Sequence, residues 1–126
     1  MRHRRDRFDI GNVARRRGGA GYRCFLYDGC VVSNNTAQNE YGGGIAGHNN
    51  TTVRCDAYDT LFVDNTAAQR GGGVYNGYIE RCDLIRNEVT GGTGGGAQLS
   101  FLTDCNVISN SSSANGGGTA NCWLTN

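Results

Sequence analysis

Apolar residues in this chain arrive in short pulses, rich in Val and Ile and bounded by Asn and Gly. The pulses keep their position when the sequence is cut every 22 to 23 residues. Counting back three from Asn35, Asn65, Asn87 and Asn110 gives Val32, Phe62, Leu84 and Val107, and counting back five gives Cys30, Thr60, Cys82 and Cys105. Asn12 heads the same pattern in weaker form, with Asp9 and Arg7 at those offsets. Residues two apart share one face of a strand, so each pair predicts a strand with two inward side chains. Short pulses of β-branched residues punctuated by Gly and Asn predict strands rather than helices. A further stack is read as Tyr27, Ala57, Ile79, Leu102 and Leu124, and a β-branched column as Ile10, Ser33, Val63, Ile85 and Ile108.

A second landmark keeps the same period. Glycine runs begin at Gly19, Gly42, Gly71, Gly94 and Gly116, while the asparagines stand at Asn12, Asn35, Asn65, Asn87 and Asn110. Self-similarity at this period is the mark of a solenoid, in which each repeat buries its apolar face only against its neighbours. A rung of this length at about 3.3 Å per residue closes one circuit of a narrow coil, with rungs about 4.8 Å apart. The expected fold is all-β: a right-handed parallel β-helix, a single-stranded solenoid of about five rungs of about 22–23 residues, three-sided in cross-section. In that register the asparagines form an amide ladder at a bend, where Asn tolerates left-handed backbone angles. The glycines supply conformations that a Cβ forbids, or let backbones approach closely.

Composition narrows the picture. At 126 residues there is room for one domain, 1–126, and with 37% apolar residues and 21 glycines it suits a thin coil better than a globule. Proline is absent, as central strands require. A formal net charge of +1 gives no overall field for nucleic acid, and no apolar run is long enough for a signal peptide or a membrane insertion. Neither a nucleic-acid partner nor membrane insertion is therefore expected. The arginine-rich stretch 1–20 is read as a degenerate first rung or an N-terminal arm. The stretch 47–53 is read as a loop protruding from an irregular rung, and it contributes His48, Asn49 and Asn50 as candidate binding residues. Residues 116–126 follow 94–104 letter by letter and stop before the next column cysteine, which suggests an excerpt of a longer rod or an end able to stack copies.

Phe62-Val63-Asp64-Asn65, together with Gly-Gly-Gly followed by Ile, Val or Ala from Gly42, Gly71 and Gly94, resembles the repeats of polymorphic outer-membrane proteins and related β-helix surface proteins. The resemblance spans the chain from about Asn12 onward. It implies an extracellular or cell-surface rod that is adhesive or structural, and pectate lyases and polygalacturonases stand among the broader fold relatives.

The candidate chemistry is sparse. Cys24, Cys30, Cys55, Cys82, Cys105 and Cys122 form no CxxC pair, and His3 and His48 lack ligand spacing to them. They are read as buried thiols, with no metal site and no cofactor. Cys82 and Cys105, on successive rungs, lie close enough to oxidise. Asp59, Arg81 and Asp104 stack with alternating sign, near Asp83 and Arg86. Such a column is either a charge-compensated strand edge or the acid, base and uronate-binding groups of a polysaccharide lyase, hydrolase or binding module, for which Ca2+ would be the cofactor. No catalytic residue is assigned. The sequence is read as a scaffold without chemistry of its own, with end-to-end self-association and carbohydrate as candidate partners.

Overall fold

The computed structural model describes residues 3–5, 8–10, 13–14, 21–22, 25–27, 30–39, 41–47, 55–114, 116–120 and 122–125. These form a parallel β-solenoid, with no helix among the described residues. The strands fall into four sheets, one per side of the coil. The first side holds His3–Arg5, Phe25–Tyr27, Cys55–Tyr58, Gly77–Glu80, Phe101–Thr103 and Trp123–Thr125. The second holds Phe8–Ile10, Val31–Ser33, Leu61–Val63, Asp83–Ile85 and Asn106–Ile108. The third holds Val13–Ala14, Thr36–Ala37, Thr66–Ala67, Glu88–Val89 and Ser111–Ser112. The fourth holds Gly21–Tyr22, Ile45–Ala46, Val74–Tyr75, Ala97–Gln98 and Thr119–Ala120. From Cys30 to Cys105 the chain completes three turns, closing at Thr60, Cys82 and Cys105.

Four sides replace the three expected, and the reason is a step of five residues within each turn. Val74, Ile79, Leu84 and Val89 lie on successive sides and all point inward, fully buried. Two residues ahead of the last three, Gly77, Cys82 and Asn87 are buried as well. After each inward pair the chain must bend, and it does so through a left-handed residue. Asn76 and Leu99 turn the fourth side into the first, and Asp59, Arg81 and Asp104 turn the first into the second. Asn34, Asp64, Arg86 and Ser109 turn the second into the third, and Gly42, Gly71, Gly94 and Gly116 start the fourth. Between the two later turns, this last corner absorbs the one-residue difference in length, whereas the seven extra residues of the turn from Asn35 to Asn65 fall between Ile45 and Ala57. From Ala67 to Val74 the chain takes seven residues, and from Val89 to Ala97 it takes eight, which accounts for Asn spacings of 22 and 23.

The glycines after that corner are held by close approach. A Cβ on Gly72 would stand 2.3 Å from the carbonyl oxygen of Gly95 and 2.6 Å from the nitrogen of Glu88, distances no real side chain adopts.

The main core runs up the coil through Leu26, Val32, Phe62, Ile79, Leu84 and Leu102, and a second small column of Ala37, Ala67 and Val89 lies apart. One predicted stack slips by a residue: Ala57 stands on Leu26, not Tyr27. Strand alternation decides this, since Leu26 is the buried member. The β-branched column of Val63, Ile85 and Ile108 keeps its register but forms the outer surface of the second side, where Ile108 is 51% exposed.

The ladder is present as predicted at Asn35, Asn65, Asn87 and Asn110; Asn12 lies outside the described residues. The left-handed residue at this bend is the one before each asparagine, and Asn35, Asn65 and Asn87 are themselves fully buried. Asn65 Oδ1 accepts from the backbone N–H and the amide of Asn35, at 3.1 and 3.0 Å. Asn65 Nδ2 donates to Asn87 Oδ1 and to the Val32 carbonyl, both at 2.9 Å. Asn87 repeats the arrangement with Asn110 Oδ1 and the Phe62 carbonyl. Both ends of the Asn65 and Asn87 amides are thus engaged within a fully buried space.

Candidate functional site

The predicted charged cluster separates into three arrangements. At the corner between the first and second sides, the left-handed backbone throws Asp59, Arg81 and Asp104 outward in a vertical row. Arg81 reaches back one coil and grips Asp59 with two bonds, Nε to Oδ1 at 2.8 Å and Nη2 to Oδ2 at 3.2 Å, and its Nη1 meets Glu80 Oε2. At the next corner Arg86 does the same to Asp64, at 3.0 and 3.3 Å. Asp83 projects between the corners and accepts from Asn106 Nδ2 at 2.8 Å. Asp104, one coil beyond Arg81, is exposed and forms no ion pair with a described residue.

The electrostatics follow from this pairing. The hydrogen bond from Arg81 holds the Asp59 carboxyl below its ordinary value, and Asp59 in turn raises Arg81 further. Asp64 raises Arg86 in the same way. A glycosidase acid needs a carboxyl whose pKa is raised so that it keeps its proton near neutrality, whereas Asp59 is held ionised with both oxygens occupied. What the rows do chemically is cancel charge along the axis, and at this exposure solvent screens each pair. Asp64 and Glu80 were missed by the sequence reading. Asp64 was legible there, since it precedes ladder Asn65 as Arg86 precedes Asn87.

A row only partly legible in the sequence lies on the outer face of the first side. Tyr78, Phe101 and Trp123 stack one per coil, with ring centroids 5.9 and 4.5 Å apart and planes 17° and 12° from parallel. The rings therefore turn their faces to one another and present their edges to solvent. Beside them the Tyr58 hydroxyl is pushed up, first by burial and then by Asp56 and Glu80.

Inside the coil, Cys30, Cys55 and Cys82 are buried and Cys105 and Cys122 partly so, all as free thiols. Cys105 also lines a cavity of about 230 Å³ with Leu102, Val107, Leu124 and Thr125. Among the described residues, no group of three or more His, Cys, Asp or Glu side chains could hold a metal ion. The predicted loop residues His48, Asn49 and Asn50, like Cys24, lie outside the described residues. Comparison with known proteins finds no match to this chain among family models, curated proteins or solved structures.

Proposed function

We propose that the chain is a structural, adhesive β-solenoid scaffold, part of an extracellular or cell-surface rod, with no catalytic chemistry of its own. The observation that carries this reading is how the charged and polar groups are used. Arg81 and Arg86 are each bound to a carboxylate of the coil before, and the buried amides close on one another in the ladder. Outward rows repeating at the coil spacing of about 4.8 Å suit contact with an extended surface better than capture of one small substrate. The resemblance of Phe62-Val63-Asp64-Asn65 and the glycine runs to polymorphic outer-membrane protein repeats supports the surface location. The same reading includes end-to-end association of copies.

The test pairs adhesion with turnover. Solid-phase binding of the chain to immobilised polysaccharides and matrix proteins should fall when Tyr78 and Trp123 are both changed to Ser, with the circular dichroism spectrum retained. Polygalacturonate should show no increase in unsaturated product, with or without Ca2+. Turnover abolished by Asp104→Ala would replace this reading with a polysaccharide-active enzyme. A light-scattering concentration series that stays monomeric would remove the self-association.

A further inference from the structure

Two columns of small side chains in the interior carry the described cysteines. One runs Cys30, Thr60, Cys82, Cys105, and the other runs Cys55, Gly77, Ser100, Cys122. Thr60 separates Cys30 from Cys82, and Gly77 and Ser100 separate Cys55 from Cys122. Cys82 and Cys105 alone among them stack on adjacent coils. The bond from the Asn106 N–H to the Cys82 carbonyl, at 3.0 Å, fixes that step. Coils about 4.8 Å apart fall within the Cα separation of roughly 4.4–6.8 Å that a disulfide spans.

The two thiols differ in access. Cys82 is buried, and its S–H is directed at the Glu80 carbonyl at 3.4 Å. Cys105 is half-buried.

We infer that Cys82 and Cys105 are a redox-active dithiol, in which a small hydroperoxide oxidises Cys105 and Cys82 then closes a disulfide between adjacent coils. In the first step the Cys105 sulfur attacks one peroxide oxygen and the O–O bond breaks. The departing hydroxide takes the proton released by the thiol and leaves as water, so the sulfur is oxidised to sulfenic acid and the peroxide is reduced. In the second step the Cys82 sulfur attacks the Cys105 sulfur, the S–O bond breaks, and the hydroxyl leaves with the Cys82 proton as a second water. Two thiols and one hydrogen peroxide yield one disulfide and two waters. The order of attack fits the ionisation of the pair. The neighbouring Cys82 thiol lowers Cys105, whereas the Cys105 sulfur and burial push Cys82 up, so Cys105 forms the thiolate first.

The experiment treats the full chain with one equivalent of hydrogen peroxide, blocks remaining thiols by alkylation and maps cross-linked peptides by mass spectrometry. The dominant product should join Cys82 to Cys105 with loss of two hydrogens. Cys82→Ser should halt at a Cys105 sulfenic acid that dimedone captures, and Cys105→Ser should leave Cys82 reduced. If either variant fails to fold, the wild-type time course decides: dimedone capture at Cys105 should appear early and disappear as the disulfide forms. Cross-links of comparable yield at Cys24, Cys30, Cys55 or Cys122, capture persisting in the wild type, or no oxidation at Cys105 would each overturn the inference.

Discussion

Replacing Asn65 by Ala tests the ladder at its most enclosed point. The side chain is fully buried and makes four hydrogen bonds, two received from Asn35 and one given each to Val32 and Asn87. Without it, the Asn35 backbone N–H and amide lose this acceptor, and a buried group left unsatisfied costs about 1–3 kcal/mol. Two such losses together with the small void give an expected destabilisation of about 4 kcal/mol, a large share of the ~5–15 kcal/mol that holds a domain together. With a urea slope of about 2 kcal/mol per M, the unfolding midpoint should fall by about 2 M. Asn110→Ala supplies the internal comparison. Asn110 is only partly buried, so water can replace part of what it does, and a cost of about 1–2 kcal/mol is expected. Urea titrations followed by far-UV circular dichroism measure both variants on the whole coil. Fluorescence of the one tryptophan, Trp123, reports the last described coil separately. A cost below about 1 kcal/mol for Asn65→Ala, or an equal cost at Asn110, would refute the argument that enclosed amide pairing stabilises the coil.

Four further outcomes follow from the same geometry. Asn65→Asp places a second acceptor opposite Asn87 Oδ1 and buries a carboxylate, which raises its folded pKa above the unfolded value near 3.9; its extra destabilisation, read from urea midpoints across pH, should be absent below about pH 4 and grow as pH rises toward the folded pKa. Gly72→Ala drives a Cβ to within 2.3 Å of the Gly95 oxygen and should cost about 3 kcal/mol or more, measured by thermal unfolding, whereas Ser109→Gly relieves a left-handed residue at φ 56 and should stabilise by up to about 1 kcal/mol. The Asp59 carboxyl should titrate below 3.8 by NMR and return toward that value in Arg81→Gln; being depressed when folded, its contribution is present above the unfolded pKa and is lost as pH falls through the folded one, and an unchanged titration in the variant would count against the ion pair.

The sequence alone determined the vertical order of this protein. Asn, Cys and Gly recur because stacked coils place equivalent residues over one another, so any residue needed at one level is needed at the next. The letters therefore report register directly, and the columns from Cys30 to Cys105 and from Val32 to Val107 stand as read. Only the tertiary structure decided what happens around each turn. The left-handed corners at Asp59, Arg81, Arg86, Leu99 and Ser109 carry residue types with no shared preference for that conformation, so four sides could not be distinguished from three. Which arginine takes which carboxylate was equally hidden. Arg81 and Arg86 are five residues apart, one side of the coil, and each pairs vertically with the coil before rather than with the other. The aromatic row was legible as Trp123 over Phe101. That its rings show solvent their edges rather than their faces depends on side-chain angles set by packing, which no letter in the chain encodes.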